Sequence, residues 1–380
     1  MSAEVKKADI LVIGGGMAGA SAAYFMADDA NVVLLEREVL PGYHTTGRSA
    51  ALYTKYYGND AIRAITRASE TFFRSPPDGF CDGHLLSPRG MLFLATDALE
   101  EILTSEGAEI VKQGGSVEYL TPEEAQEIAP YLRKDAISKA FFEPSPEDMD
   151  VAAILQGFLR GLRAKGGSIL TDAEVQALSR KDGVWRLETR AGTFEAPIVI
   201  NAAGAWCDEI ATLAGARQIG LVPKRRTAFT FDIDPALWDD KWPMTFLADE
   251  SWYMKPDAGR MLGSPADETP SAPTDAQPEE LDLAIAADRI MSFTSFEIRR
   301  FASTWAGLRS FVADKTPVVG FDGELDGFFW LAGQGGYGIQ TSPMMGQIAA
   351  SLALTNALPA SVLEEGLDPL ALSPNRAGLR

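Results

Sequence analysis

Three glycines and one acidic residue near the start of the chain have the spacing of a dinucleotide-binding turn. Gly14, Gly16 and Gly19 form a G-x-G-x-x-G pattern, and Glu36 follows 22 residues after Gly14. Such glycines allow a tight turn and a close backbone approach to a pyrophosphate, which the N-terminus of the next helix stabilises. A carboxylate at the position of Glu36 accepts hydrogen bonds from an adenosine ribose and disfavours a 2′-phosphate. These residues predict a dinucleotide site.

The segments around these residues complete the βαβ unit that must position them. Ile10–Ile13 and Val32–Leu35 are short apolar runs that predict strands, and residues 18–27 read as a helix of small residues. A strand, a glycine turn, a helix, a second strand and a terminal acid are a far more specific signal together than the glycines alone.

Two further glycine-rich turns each follow an apolar strand. Residues 198–201 run into AAGAW at 202–206, and residues 327–332 run into GQGGYG at 333–338, before a long helix predicted at 339–355. Backbone at such turns can approach a ligand closely. The simplest arrangement has one extended cofactor touching all three turns, although they are far apart in the chain.

This arrangement predicts an α/β protein, α+β overall, in which a Rossmann-like nucleotide-binding domain is discontinuous. We assign residues 1–80, 146–218 and 305–380 to that domain. Residues 81–145 and 219–304 do not continue the βαβ pattern and are expected to form an inserted substrate-binding domain with a mixed or antiparallel sheet.

The composition excludes several classes of function. The 380-residue chain has a net charge of −19, which argues against a nucleic-acid partner and against an anionic membrane surface. Two cysteines, Cys81 and Cys207, imply no disulfide framework and fit a reducing cytoplasm. We expect no signal peptide, no transmembrane segment and no metal site, because no targeting sequence, long apolar run or metal-ligand spacing is present.

Four motifs carry a resemblance to a known family. GGGMAG with Glu36, GRSA at 47–50, NAAGAW at 201–206 and GQGGYGIQ at 333–340 together resemble the D-amino-acid oxidase family of FAD enzymes, which includes sarcosine and glycine oxidases. The match runs over nearly the whole chain. PGYHTTGRSAALYT, KRRTAF, YMKPDAG and TWAGLRSFVAD are similar to family members that dehydrogenate D-arginine. The resemblance implies non-covalent FAD in the Rossmann-like domain.

The expected cofactor contacts follow from this resemblance. Gly14, Gly16 and Gly19 would hold the pyrophosphate, and Glu36 the ribose. A helix N-terminus at residues 338–341 would stabilise negative charge on the reduced flavin. The other expected cofactor-binding residues are Met17, Ala18, Arg37, Thr46, Gly47, Arg48, Ser49, Val175, Ala203, Gly204, Trp206, Arg309, Gly335, Gly336, Tyr337, Gly338 and Ile339. Of these, Thr46, Arg48 and Ser49 could donate hydrogen bonds to phosphate or to the flavin edge.

An amino-acid substrate needs a clamp for its carboxylate, and arginine suits this role because its planar fork pairs bidentately. Arg225 and Arg226 face opposite sides of a predicted strand, and the resemblance selects Arg226. Arg309 lies in an apolar strand, where its guanidinium must meet either a protein carboxylate or the substrate. Tyr57 and Tyr253 resemble tyrosines that complete the clamp. The Gly336 carbonyl and the Gln340 side chain would face the amine.

The sequence departs from the D-arginine enzymes in the residues that would contact the substrate side chain. Those enzymes place a glutamate just after an SPR motif, whereas this chain has Gly90 and Met91 there, and it has Leu52 in place of a histidine. Losing the anion and gaining apolar surface favours a neutral or apolar D-amino acid. The alignment allows two registers, so either Gly90 or Met91 could be the position concerned.

The expected reaction is hydride transfer from the amino acid to flavin N5, giving an imine that hydrolyses to a 2-oxo acid and ammonia. The protein mainly positions the substrate, and His44 is read as structural. Alternatives are a sarcosine- or glycine-type amine oxidase, a flavin-dependent 2-hydroxy-acid dehydrogenase, and a non-catalytic FAD-binding redox or assembly partner. The sequence leaves open the oligomeric state and whether the electron acceptor is oxygen, a quinone or another carrier.

Overall fold

The computed structural model describes residues 5–379 and has the mixed α/β architecture that the sequence predicts. In this part of the chain the helices are α1 (Met17–Met26), α2 (Asp60–Arg74), α3 (Glu100–Lys112), α4 (Pro122–Ile128), α5 (Val151–Ala164), α6 (Cys207–Ala214), α7 (Glu280–Phe293), α8 (Ser342–Thr355) and α9 (Ala360–Glu364).

Strands are distributed along the whole described chain. They are β1 (Lys6–Lys7), β2 (Ile10–Ile13), β3 (Val32–Leu35), β4 (Leu52–Tyr53), β5 (Leu86–Pro88), β6 (Met91–Ala95), β7 (Glu118–Leu120), β8 (Lys139–Glu143), β9 (Glu147–Met149), β10 (Ser168–Leu170), β11 (Val175–Lys181), β12 (Val184–Thr189), β13 (Gly192–Ala196), β14 (Ile198–Asn201), β15 (Val222–Phe231), β16 (Met244–Leu247), β17 (Tyr253–Asp257), β18 (Arg260–Ser264), β19 (Thr269–Pro270), β20 (Ser303–Phe311), β21 (Val318–Phe321) and β22 (Phe328–Ala332).

A central sheet in the described chain has the order β10-β3-β2-β14-β22-β21, and its neighbouring strands are parallel except at β21. Strands β2, β3 and β22 are fully buried, as expected for a parallel sheet covered on both faces, whereas the edge strand β10 is partly exposed. Helices α1 and α8 pack on one face. Helix α6 and the small sheet β1-β13-β12-β11 cover the other face through Trp185, Leu187 and Phe194.

A second large sheet in the described residues has the order β19-β15-β18-β17-β16-β6-β8-β7, with β20 also paired to β15. Its pairs are antiparallel except β16 with β6, so the expected mixed sheet is present. Helix α7 packs against it through Leu283, Ala286 and Ile290. A small sheet, β4-β9-β5, holds the segment that carries Leu52.

Two boundaries differ from the sequence-based prediction. Strand β20 pairs with β15 from Ser303 to Phe311, so the expected domain boundary at residue 305 cuts through a strand of the second sheet. Helix α8 begins at Ser342, three residues later than predicted, with Thr341 as N-cap and Pro343 in the first turn. Proline has no N–H to donate and suits the start of a helix, which explains this position.

None of the helices between residues 5 and 379 is long and apolar enough to cross a membrane.

Candidate cofactor and substrate site

The three glycine-rich turns meet at one edge of the central sheet. Strands β2, β14 and β22 are parallel neighbours, so the turns that follow them leave the sheet at the same edge. Together they line one cavity of about 520 Å³, which also reaches the second sheet. Ligands bind at this edge in open parallel sheets. The tertiary structure therefore joins the turns that the sequence separates.

The first turn can be built only from glycine at two of its positions. Gly14 has a φ of +107°, and a Cβ there would lie 2.4 Å from the carbonyl oxygen of Ala202. A Cβ on Gly19 would lie 1.9 Å from the carbonyl oxygen of Gly14. Gly14 and Gly16 line the cavity, whereas Gly19 serves the close packing of α1 against the turn.

Glu36 lies at the end of β3, beside this turn, and only 6% of it is exposed. Its carboxylate accepts hydrogen bonds from the backbone N–H groups of Gly15 (2.7 Å) and Glu38 (2.9 Å). Burial raises the pKa of Glu36, and these two hydrogen bonds offset only part of that effect. Glu36 lines the cavity together with Arg37, His44 and Trp206. This end of the cavity offers a buried acceptor and flat side chains, which suit a nucleoside.

The guanidinium of Arg48 lies in a different environment from the one expected. It donates to the carbonyl oxygens of Ala306 (2.8 Å) and Ala276 (3.0 Å) and forms an ion pair with Asp275 (2.5 Å). These protein partners occupy the donors that were expected to bind phosphate or flavin, although Arg48 does line the cavity. Its side chain holds the 265–278 loop against the segment that follows β3.

Three buried polar atoms in the cavity wall have no hydrogen-bond partner within residues 5–379. They are Thr54 Oγ1, Ser310 Oγ and Gln334 Nε2. A buried polar group without a partner is costly, so such atoms indicate a polar ligand. None of the three is in the set of residues expected from the sequence.

Two arginines from the second sheet line the opposite end of the cavity. Because side chains alternate along β15, Arg226 faces the cavity whereas Arg225 pairs with Asp282 (2.8 Å) and Glu279 on the other side. Arg309 enters from β20, and its Nη2 lies 3.4 Å from the Tyr57 hydroxyl. Tyr253 lies next to Arg226, with the guanidinium carbon 6.0 Å from its ring centre.

One carboxylate touches both arginines. Glu268 Oε1 lies 3.4 Å from Nη2 of Arg226 and 3.6 Å from Nη1 of Arg309. The sequence left open whether Arg309 would meet a protein carboxylate or a substrate. In the structure Arg309 has a protein carboxylate at long range and also lines the cavity, so both partners remain possible for its guanidinium.

The wall beside this arginine pair is largely apolar. Leu52, Met91, Met244 and Phe246 line it, and Met91 and Met244 are packed in the same cluster as Tyr253. Gly90 does not line the cavity, and a Cβ built on Gly90 would lie only 2.6 Å from the Phe142 ring. Of the two registers open in the sequence, Met91 is therefore the position that faces the cavity.

Glu250 is a second acidic residue at this end, besides Glu268, that the sequence did not predict. Glu250 is exposed, has a φ of +54° in the turn between β16 and β17, and lines the cavity. Nothing in the local sequence distinguishes it from an ordinary turn residue. It places a carboxylate at the mouth of an otherwise apolar region.

Gln340 lines the cavity, but its amide is held by protein groups. Its Oε1 accepts from the backbone N–H of Thr54 at 3.3 Å, and its Nε2 lies 3.1 Å from Thr66 Oγ1. The Nε2 group is thus directed away from the expected role of facing a substrate amine. Gln340 instead ties the turn at 333–340 to α2.

Most of the residues expected from the sequence line this cavity. They are Gly14, Gly16, Met17, Ala18, Glu36, Arg37, Thr46, Arg48, Ser49, Leu52, Tyr57, Met91, Val175, Ala203, Gly204, Trp206, Arg226, Tyr253, Arg309, Gly335, Gly336, Gly338, Ile339 and Gln340. Gly19, Gly47, Gly90 and Tyr337 do not. Gly47 is packed against the carbonyl of Gly42, and the Tyr337 ring supports Tyr57 with ring centres 5.1 Å apart.

His44 lies at the nucleoside end of the cavity. Its Nε2 is 2.9 Å from a carboxylate oxygen of Glu38, and its ring packs on Trp206 and Tyr43.

Among the described residues there is no cluster of His, Cys, Asp and Glu side chains that could hold a metal ion.

Several known proteins are similar to this chain over much of its length. Glycine oxidase of Bacillus licheniformis is 25% identical over 372 residues, covering 94% of this chain and 96% of that protein. The mitochondrial dimethylglycine dehydrogenase of Homo sapiens is 28% identical over 227 residues, 57% of this chain, and the chain spans 26% of that protein's length.

The same architecture is found in solved structures. L-proline dehydrogenase from P. horikoshii has a TM-score of 0.79 and 22% identity, with 98% of both chains covered. Iminodiacetate oxidase from Chelativorans sp. BNC1 has a TM-score of 0.80 and 23% identity, covering 96% of this chain and 98% of that chain. At this level of identity the likeness shows the fold.

The family assignment rests on a match over most of the chain. The family model described as DAO, FAD dependent oxidoreductase, matches residues 9–352. The cavity fits such a cofactor, because it combines the glycine turn, the buried Glu36 acceptor and polar atoms that lack partners. The chain belongs to the DAO family of FAD-dependent oxidoreductases, and FAD is its cofactor.

Proposed function

We propose that this protein oxidises the CH–NH₂ or CH–NH group of an amino acid, with a neutral or apolar D-amino acid as the preferred substrate. FAD, when bound, accepts the two electrons and the hydrogen that leave the α-carbon. The imino acid product hydrolyses in water to a 2-oxo acid, with release of ammonia from a CH–NH₂ donor or of the corresponding amine from a CH–NH donor. The electron acceptor is oxygen, a quinone or another carrier.

The observation that carries this proposal is the pair Arg226 and Arg309 at one end of the cofactor cavity. Both side chains are mostly buried, with exposed fractions of 15% and 13%. Two guanidinium groups directed into one cavity suit a carboxylate, which they can hold by bidentate, charge-assisted hydrogen bonds. Tyr57 and Tyr253 stand beside them and can donate through their hydroxyl groups. The substrate carboxylate would be fixed here.

Positioning is the main contribution that we assign to the protein. With the carboxylate held by Arg226 and Arg309, the α-carbon is restricted to a small region of the cavity, and orientation of this kind lowers a barrier substantially. The hydrogen leaves with its electron pair, so no side chain is needed to remove the α-proton. The substrate amine must be neutral, and the Gly336 carbonyl is the proposed acceptor for its N–H.

The side-chain preference follows from the wall formed by Leu52, Met91, Met244 and Phe246. This surface supplies apolar contacts and no counter-ion for a guanidinium held deep in the pocket. Glu250 is at the mouth, where an exposed carboxylate interacts weakly. We therefore place neutral and apolar D-amino acids ahead of D-arginine.

A sarcosine- or glycine-type amine oxidase is the second candidate. The similarity to a glycine oxidase over 94% of the chain supports it. A flavin-dependent 2-hydroxy-acid dehydrogenase would need the same carboxylate clamp. A non-catalytic FAD-binding partner is disfavoured, because such a protein has no use for two largely buried arginines in a cavity.

We further propose that the central sheet binds FAD and that the second sheet, with the whole of β20, binds the substrate. We also propose a cytoplasmic location, which the two free thiols of Cys81 and Cys207 support.

The test is anaerobic mixing of the FAD-loaded protein with a panel of substrates, while the flavin absorbance is followed. We expect neutral D-amino acids to bleach the flavin faster than N-methyl amino acids or 2-hydroxy acids. Faster bleaching by sarcosine or glycine would select the second candidate. Fastest bleaching by hydroxy acids would replace an amino-acid substrate with a hydroxy acid. If no member of the panel reduces the flavin, the proposed function is wrong.

A further inference from the structure

We propose that Glu268 moderates the affinity of the Arg226 and Arg309 pair for carboxylates, so that product is released as well as substrate captured. This inference rests on the proposed function, because it concerns the site assigned there to the substrate carboxylate. Glu268 acts on a bound carboxylate indirectly, through the negative charge that it places beside the two arginines.

Glu268 is the common anion of three basic side chains. Its carboxylate accepts from Lys224 Nζ at 2.9 Å, and it lies 3.4 Å from Arg226 and 3.6 Å from Arg309. The three basic side chains are neighbours in the sheet. Lys224 and Arg226 are two residues apart on β15, and Lys224 lies directly opposite Arg309 of β20. Glu268 itself precedes β19, which pairs with Lys224 and Arg225.

The position of Glu268 separates it from direct contact with a ligand. Arg226 and Arg309 line the cavity, whereas Glu268 and Lys224 do not. A carboxylate in the cavity would thus meet the arginines on one part of their surface while Glu268 meets them on another. Two anions would then share two guanidinium groups.

Other groups fix the direction of the arginines. Arg226 Nε donates to the carbonyl oxygen of Asp267 at 2.9 Å, and Arg309 Nη2 is 3.4 Å from the Tyr57 hydroxyl. The distances from Glu268 to the arginines exceed the length of about 2.7–2.9 Å of a strong charged hydrogen bond. Glu268 therefore acts on the arginines chiefly through its charge.

That charge is present at neutral pH. Burial alone would raise the pKa of Glu268, but the hydrogen bond from Lys224 and the charges of Lys224, Arg309 and Arg226 lower it below its ordinary value. A fixed negative charge next to the clamp repels an incoming carboxylate and reduces the field of the arginines. Removing it should strengthen carboxylate binding.

The direction in which carboxylate affinity changes when Glu268 is removed distinguishes a charge role from a structural role. If Glu268 mainly held the arginines in place, its loss would disorder them and weaken binding. If it mainly opposes their charge, its loss tightens binding. Glu268 is 39% exposed, so solvent screens part of the interaction, and a change of about three- to tenfold is the reasonable expectation.

The experiment measures binding of propionate, an inert carboxylate without an amine, to the FAD-loaded protein by titration calorimetry. We expect Glu268→Gln to lower the dissociation constant by about three- to tenfold, more at low salt. Glu268→Asp keeps the charge and should remain close to the wild type. Glu279→Gln is the matched control, because it removes the same charge from the partner of Arg225, which faces away from the cavity.

A second measurement uses the best amino-acid substrate. Glu268→Gln should lower its apparent dissociation constant in anaerobic flavin reduction while leaving the limiting rate of reduction within about twofold of the wild type. Unchanged or weaker propionate binding in this variant would overturn the role of Glu268, as would an equal effect of Glu279→Gln. A wild-type protein that binds no propionate would instead refute the carboxylate clamp and the proposed function with it.

Discussion

Gly336 leaves the space that the guanidinium of Arg309 occupies. A Cβ built on Gly336 would lie 1.7 Å from Nη2 and 2.4 Å from Cζ of Arg309. The third glycine-rich turn thus serves the second sheet as well as the cofactor. This contact connects the turn after β22 to the arginine that we assign to the substrate carboxylate.

Gly336→Ala should therefore impair ligand binding more than folding. The atoms in its way are the far end of a flexible side chain, so the fold can adjust cheaply, but Arg309 must move. We expect a melting temperature close to that of the wild type and at least about tenfold weaker propionate binding, since a displaced arginine loses its bidentate geometry.

Gly338→Ala is the control for this prediction. Its Cβ would come no closer than 3.3 Å to Gln334, so only a small adjustment is needed. Equal losses of propionate affinity in the two variants would indicate that any substitution in the turn is harmful. The specific relation between Gly336 and Arg309 would then lose its support.

Removing either clamp arginine should leave the flavin spectrum intact and severely weaken reduction by the amino acid. Losing one partner of a buried, charge-assisted contact typically costs about 2–5 kcal/mol. The measurement is the apparent dissociation constant of the best substrate in anaerobic reduction of Arg226→Ala and Arg309→Ala. Arg225→Ala is the control on the same strand, and its folded fraction should bind substrate normally. Wild-type efficiency in both clamp variants would show that the carboxylate binds elsewhere.

The apolar wall predicts the order of substrates. D-methionine, D-leucine or D-phenylalanine should exceed D-arginine in kcat/KM by at least about tenfold, which corresponds to roughly 1.4 kcal/mol. Met91→Glu should move the preference toward D-arginine and D-lysine, whereas Met91→Gln, of similar size but uncharged, should not. A wild-type preference for D-arginine would assign the decisive charge to Glu250, and Glu250→Gln would then abolish that preference.

FAD binding should weaken as the solution is acidified. The weakening should begin at a higher pH than the ordinary titration of a carboxyl group would give. The pKa of Glu36 is raised by burial above its ordinary value of 4.5. The ionised form offers more acceptor atoms to a ribose, so the dissociation constant of FAD should rise as pH falls through the raised pKa.

The linked effect on the apoprotein has the opposite pH dependence. A raised pKa means that the folded state binds more protons than the unfolded state, so the contribution of Glu36 to the free energy of unfolding falls as pH rises.

Fluorescence titration of FAD into apoprotein at several pH values tests the predicted pH dependence of FAD binding. Glu36→Gln should bind FAD more weakly at neutral pH and with a flatter pH dependence. An equally steep dependence in this variant would assign the titration to another group.

The rate of flavin reduction at low substrate concentration should rise with pH and then level off. Loss of the hydrogen with its electron pair requires the neutral amine, which is the minor form at neutral pH. His44 should not contribute, since it lies at the nucleoside end beside Trp206 and Glu38. Stopped-flow reduction of wild type and His44→Ala should give profiles of the same shape. If the pH profile of the wild type contains a titration that is absent from the profile of His44→Ala, His44 has a role in the reaction.

The local sequence was sufficient for the nucleotide half of the site. Gly14, Gly16, Gly19 and Glu36 belong to one continuous βαβ unit, in which spacing alone determines how the turn, the helix and the acid are arranged. Alternation along β15 likewise placed Arg225 and Arg226 on opposite sides.

The substrate half depended on contacts between distant segments. The position of Met91 rather than Gly90 in the cavity was fixed by the packing of Gly90 on Phe142. Arg48 found its partners in Asp275, Ala276 and Ala306, more than 200 positions away in the chain. Glu250 and Glu268 lie in connecting segments without any motif, so only the pairing of β16 with β17 and of β15 with β19 brings their carboxylates to the site.

The sequence by itself determined the family, the cofactor and, along a strand, the side of the sheet on which each side chain lies. The tertiary structure alone decided which charged side chains meet, because ion pairs and close packing form between segments whose separation in the chain carries no pattern. Arg309 shows the difference most clearly. Its residue type and apolar strand indicated that it needs an anion, but its place between Glu268, Tyr57 and Gly336 followed only from the fold.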